Sequence, residues 1–181
     1  MRINNIAVVI GHHKNAQGAI SDTLGLSEWA FYKRVSSYLK GVDIYYHNEN
    51  ISGYTSRIKD TAKRLNKEDY KLVIECHFNS FEPPANGCET LYFYRSKQGK
   101  FYAKHFSELV SEKLGLKLRN GGLKALTNKK DRGFASVYLP KAPTILIEPF
   151  FGSNKKDCDL IGSPKKLAEV INTFVQKYVS L

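Results

Sequence analysis

Cysteine is scarce in this chain of 181 residues, which holds three, Cys76, Cys88 and Cys158. The number is odd, no pair has CxxC spacing, and Cys76 lies in an apolar run where a thiol packs as a small hydrophobe. No disulfide is expected, and synthesis in a reducing compartment follows. Long hydrophobic runs are lacking too. Ile6 to Ile10 gives way at once to polar residues, which excludes a signal peptide or membrane span there. There is no internal repeat, low-complexity tract or linker, so one domain over residues 1–181 is expected, without a separate binding module. Acidic residues are few beside basic ones, 17 against 28, for a net charge of +11. That surplus suits a polyanionic partner, whether nucleic acid, an anionic membrane surface or an anionic wall polymer, and charge does not choose among them. No helix-turn-helix, RRM or zinc-finger signature accompanies it, so nucleic acid is not the expected partner.

What is present is ordinary for a folded soluble protein: 42% hydrophobic and 25% charged residues. Five β-rich runs stand out, Ile6 to Ile10, Val42 to Tyr46, Lys71 to Cys76, Glu89 to Tyr94 and Thr144 to Ile147. The first, third and last are almost continuously apolar, as strands buried on both faces are. Helical periods lie between them: Trp29, Tyr32, Val35 and Leu39; Ile58, Ala62 and Leu65; Tyr102, Phe106, Leu109 and Leu114. In the last helix Ser163 serves as cap, Pro164 suits the first turn, and Leu167, Val170, Ile171, Phe174, Tyr178 and Leu181 form one stripe. Alternating strands and helices predict a single α/β domain, its mainly parallel central sheet flanked by helices on both faces. Turn residues mark Phe81 to Gly87 and Asn120-Gly121-Gly122 as loops. Tyr92, Phe93 and Tyr94 read first as strand alternation and second as a sugar-stacking platform.

In open parallel sheets the chemistry sits beyond the carboxyl ends of the strands. The first apolar run leads into Gly11-His12-His13, the third into His77-Phe78-Asn79, and the last into Glu148-Pro149. Glu28, near the start of the helix after the first strand, falls at the same edge. Two histidines and a glutamate are the ligand set of a catalytic zinc site, and one further carboxylate can act as base. His12, Glu28 and His77 with Glu148 meet that need, although strand-end His and Glu are also common as ordinary satisfied groups. His47 and His105 have no pattern around them and are expected at the surface. Glu75 shares a strand face with His77, either as partner to a ligand histidine or as an ordinary strand residue.

These residues resemble the zinc-dependent N-acetylmuramoyl-L-alanine amidases of the Amidase_3 type, over Ile6 to about Ile161. A DPGHGG-like turn is matched by Ile10-Gly11-His12-His13, without the Asp-Pro, and a GLxE-like context by Gly25-Leu26-Ser27-Glu28. SIHAN is matched by Glu75-Cys76-His77-Phe78-Asn79, GxET by Gly87-Cys88-Glu89-Thr90, and LIExGFxSN by Leu146 to Asn154. Five ordered matches carry the likeness where each alone is weak. The resemblance implies Zn²⁺ held by His12, Glu28 and His77, with His13 the alternative first ligand, and Glu148 as catalytic base. It implies hydrolysis of the amide between N-acetylmuramic acid and L-alanine in peptidoglycan. Asn79 and Arg132 are candidate substrate contacts, Arg132 being equally a member of the basic surface. A phage endolysin-like enzyme is expected, made in the cytoplasm, acting on the cell wall and drawn by its basic surface to anionic wall polymers. The alternatives are a zinc peptidase or carboxypeptidase acting on another amide, and a basic nucleic-acid-binding protein.

Overall fold

The computed structural model describes residues 5–179. In chain order the strands are β1 (Ile6–Ile10), β2 (Ile20–Ser21), β3 (Leu26–Ser27), β4 (Asp43–Tyr46), β5 (Leu72–Cys76), β6 (Cys88–Phe93), β7 (Leu118–Leu126) and β8 (Thr144–Glu148). The helices are α1 (Glu28–Ser36), α2 (Tyr54–Leu65), α3 (Lys97–Leu114), α4 (Phe134–Tyr138), α5 (Lys155–Ile161) and α6 (Pro164–Tyr178). Six strands form one sheet in the order β4-β1-β5-β8-β6-β7, and β2 pairs with β3 in a short ribbon.

The three apolar runs, β1, β5 and β8, lie side by side in the interior of the sheet. Alternation within them divides the core. Ile6, Val8, Ile10, Leu72, Ile74, Ile145 and Ile147 face the larger cluster, which includes Phe31, Phe106, Ile171 and Phe174 from α1, α3 and α6. Ala7, Val9, Val73 and Leu146 face smaller clusters that include Leu65 of α2 and Phe134 and Val137 of α4. Helices thus cover both faces, as expected. On α6, Ser163 Oγ accepts from Lys166 N, and Leu167, Val170, Ile171 and Phe174 are buried. Leu181 of the expected stripe lies outside the described residues.

Four strands, β4, β1, β5 and β8, are parallel, whereas β6 runs antiparallel to β8 and carries β7 parallel to itself. The reversal has a local cause. No helix intervenes between β5 and β6 to return the chain to the far edge, so it re-enters the sheet from the edge it has just left. The carboxyl ends of β1, β5 and β8 therefore meet the amino ends of β6 and β7. Asn120-Gly121-Gly122, expected as a loop, instead lies inside β7, where φ values of 49°, 70° and 81° make a bulge that shifts the register against β6. Tyr94 follows the end of β6 at the opposite edge from Glu89, so no sugar platform forms beside the strand ends. Cys76, Cys88 and Cys158 are buried free thiols. No helix among the described residues is long and apolar enough to cross a membrane.

Candidate metal centre and catalytic carboxylate

His12 follows β1 with φ of 64°, a left-handed conformation uncommon for a residue with a side chain and one that collects at functional sites. Glu28 opens α1. Ser27 caps that helix, its Oγ accepting from Ala30 N and donating to Gln17 Oε1. The β2–β3 ribbon holds the same residue from the other side, Ala19 N donating to Glu28 Oε1 at 3.0 Å and Glu28 N to Ala19 O at 2.9 Å. His77 leaves β5 with its N–H on Ile147 O, and its carbonyl accepts from the Tyr32 hydroxyl at 2.6 Å.

The three side chains converge. His12 Nε2 lies 3.3 Å and His77 Nδ1 3.1 Å from Glu28 Oε2, and one donor atom from each residue falls within 4.8 Å of the others. Close backbone approach makes the room. A Cβ on Gly18 would come within 2.6 Å of His12 Nε2 and 2.8 Å of Glu28 Oε1, and one on Gly11 within 2.6 Å of His77 Nε2. Of the two adjacent histidines, His12 joins the cluster. His13 is buried elsewhere, both ring nitrogens without a hydrogen-bond partner among the described residues.

The electrostatics favour a cation at the centre. Burial by itself would raise the Glu28 carboxyl, but hydrogen bonds from His12 and His77 outweigh it and hold the group at about 2. Burial would lower His77, yet hydrogen bonds to Glu28 and Glu75 push it up to about 10. Two imidazoles and a carboxylate at this spacing fit Zn²⁺ and leave a coordination position for water.

Glu75 proves to be a partner of the ligand histidine. Its Oε1 lies 3.2 Å from His77 Nε2 and accepts from Ser136 Oγ of α4 at 2.9 Å. With Nε2 engaged, Nδ1 is the nitrogen presented to Glu28 and the metal position. His47, expected at the surface, is instead buried: its Nδ1 lies 2.8 Å from Thr61 Oγ1 and its Nε2 3.8 Å from Glu75. It follows β4, whose carboxyl end shares the edge of β1, so sheet order places it where sequence spacing gave no signal. Both histidines, after burial is set against them, hold the Glu75 carboxyl well below the ordinary range. His105 lies on α3, beside Glu108 and stacked on Tyr178.

Glu148 ends β8 and pairs in register with Glu89 of β6. Asn79 Nδ2 donates to Glu148 Oε2 at 3.0 Å and Glu89 Oε1 at 3.2 Å, clasping the two carboxylates. Burial raises the Glu148 carboxyl above its ordinary value; His77 pulls against this and the Glu89 charge adds to it. Glu89, not anticipated as a site residue, is 2% exposed, with Arg119 Nε 3.3 Å from its Oε1. Arg132 is exposed ahead of α4, and no hydrogen bond or ion pair among the described residues ties it to the cluster.

Residues 6–177 match the family model described as Amidase_3, N-acetylmuramoyl-L-alanine amidase. Solved structures share the fold. The N-acetylmuramoyl-L-alanine amidase from Clostridium difficile 630 is 21% identical with a TM-score of 0.74, over 98% of this chain and 97% of that one. AmiC2 of Nostoc punctiforme is 22% identical with a TM-score of 0.72, over 97% of each chain. The catalytic domain of the CD27L endolysin, which targets Clostridia difficile, is 23% identical with a TM-score of 0.71, over 94% and 96%. No curated protein sequence matches the chain significantly.

Proposed function

Because this chain belongs to the Amidase_3 family of N-acetylmuramoyl-L-alanine amidases, we propose that Glu148 is the base that activates water against the amide joining N-acetylmuramic acid to L-alanine. The family's activity is zinc-dependent hydrolysis of that bond in peptidoglycan, and His12, Glu28 and His77 are the residues that would hold the ion. Zinc, when bound, supplies a Lewis acid that acidifies water and polarises the scissile carbonyl.

The other steps fall to side chains. Glu148 Oε accepts the proton released by the attacking water and delivers it to the leaving nitrogen as the C–N bond breaks, freeing the stem peptide with a new amino terminus. A buried carboxyl with a raised pKa is suited to both halves of this exchange, since it neither gives up nor keeps its proton too readily. Asn79 Nδ2 holds the carboxylate in position, so Asn79 is read as a positioning residue rather than a direct substrate contact. The observation that carries this reading is Glu148 following Ile147, whose carbonyl accepts from His77 N at 3.1 Å, with Glu148 in register with Glu89 and clasped by Asn79.

Glu148→Ala is expected to retain about one zinc per chain and to lose at least about a hundredfold in kcat on purified peptidoglycan. His77→Ala is expected to lose the metal itself. Elemental analysis, with mass spectrometry for stem peptides beginning in L-alanine, reads both; near-normal turnover by Glu148→Ala would remove it from the mechanism. The basic surface is read as an attractor for anionic wall polymers, and an endolysin-like lytic role is in keeping with the likeness to the CD27L catalytic domain.

A further inference from the structure

A groove of about 520 Å³ opens between the loop after Asn79 and the start of β7, lined among others by Phe81, Pro84, Asn86, Lys117, Arg119 and Asn120. We infer that this groove receives the stem peptide beyond its L-alanine, and that Arg119, helped by Lys117, binds a carboxylate on the second or third residue of that stem. The inference rests on the amidase reading above and assigns the groove a chemistry within it.

Arg119 is built to receive an anion. Its guanidinium lies 5.2 Å from the Phe151 ring centroid, and its Nε stands 3.3 Å from Glu89 Oε1. Its Nε makes no hydrogen bond, so charge and ring contact alone hold the fork, and no hydrogen bond from its two Nη groups is found among the described residues. A guanidinium fixed in this way forms paired hydrogen bonds to a carboxylate with little ordering left to do. Lys117 is exposed on the same wall, and the lining residues hold two cations, Lys117 and Arg119, beside one carboxylate, Glu82, with Glu89 pairing Arg119 from behind.

The opposite wall is rigid. Phe81 N donates to Ser153 Oγ, which donates back to Phe81 O at 2.7 Å, Asn154 Nδ2 holds Ala85 O, and Gly87 N donates to the buried Asp157. Phe81, 70% exposed, stands at the rim as an apolar contact for a peptide.

Distance sets which residue is read. From Glu148 Oε2 the path to Arg119 Nε runs through Asn79 Nδ2 and Glu89 Oε1 by steps of 3.0, 3.2 and 3.3 Å, so the base and the guanidinium are less than about 10 Å apart. An extended chain covers about 3.3–3.6 Å per residue. A peptide whose first amide lies at Glu148 therefore brings its second or third residue to Arg119.

The test compares cleavage of N-acetylmuramoyl-L-alanyl-D-glutamate with that of its α,γ-diamide, in which both carboxylates of the second residue are amides. The zinc-loaded wild type is expected to favour the acid about tenfold in kcat/KM, mostly through KM, as befits a charge-assisted contact. Arg119→Ala and Arg119→Lys should narrow that ratio, the lysine variant less, and Lys117→Ala, which leaves the Glu89–Arg119 pair in place, should narrow it in part. A second measurement does not need turnover: binding of free L-alanyl-D-glutamate against its α,γ-diamide, followed by NMR on zinc-free protein. Preferential binding of the acid that Lys117→Ala weakens supports the groove. An equal response to acid and amide in both measurements overturns it, while failure of the wild type to cleave either muropeptide overturns the amidase reading instead.

Discussion

Glu75 is the residue whose environment says most about the site, because its neighbours have no counterpart in a bare His-Glu-His ligand set. Ser136 holds it from α4 and His47 stands beside it, so the carboxylate that faces His77 is itself fixed. Glu75→Ala is expected to weaken zinc binding by roughly 10–100-fold, read by competition against a chelator, with Glu75→Gln closer to wild type. Unchanged affinity in both would make Glu75 an ordinary buried carboxylate. Glu89 acts on Glu148 through charge. A base must be ionised to work, so kcat/KM should rise with pH through the raised Glu148 pKa. Glu89→Gln removes a negative neighbour and should move that acid limb to lower pH; a limb that stays put would separate Glu89 from the base. His12, His77 and the proposed base Glu148 were legible in the sequence as polar residues ending apolar strands, and Glu28 as the start of the helix after the first of them. Glu89 stood in the GxET match without being named as a site residue, and Arg119 and His47 carried no signal, because register and sheet order, not chain spacing, bring all three near the cluster.

At the scale of elements, the α1 amino terminus matters beyond helix stability. Ser27 satisfies Ala30 N and ties the entry to Gln17, and Glu28 is the next residue. Ser27→Ala is expected to destabilise the fold by about 1 kcal/mol and to weaken zinc binding as well. Thermal unfolding with and without zinc separates the two effects: a loss that is the same in both states would confine Ser27 to capping. Strands and long helices were readable because β1, β5 and β8 are buried on both faces and α3 and α6 carry long apolar stripes. The short α4 and α5 and the β7 strand escaped. Five and seven residues hold too little periodicity to register, and a glycine pair in β7 reads as a turn although it supports a bulge.

Across the whole molecule, the surplus of +11 and the exposed lysines of α3 and β7 should draw the enzyme to an anionic wall. Lysis of sacculi is expected to fall as salt rises from about 0.05 to 0.5 M, where screening shortens the reach of surface charge. Cleavage of a small soluble muropeptide should fall less, and parallel losses on both substrates would place the salt effect at the site rather than the surface. The reversal of strand direction between β8 and β6 also divides labour. The parallel strands and α1 carry the His12–Glu28–His77 cluster and Glu148, while β6 and β7 carry Glu89 and the wall of the groove. At the site the two halves are coupled through the Glu89–Glu148 pair, so a change in the groove wall of β7 leaves the metal cluster's own supports untouched.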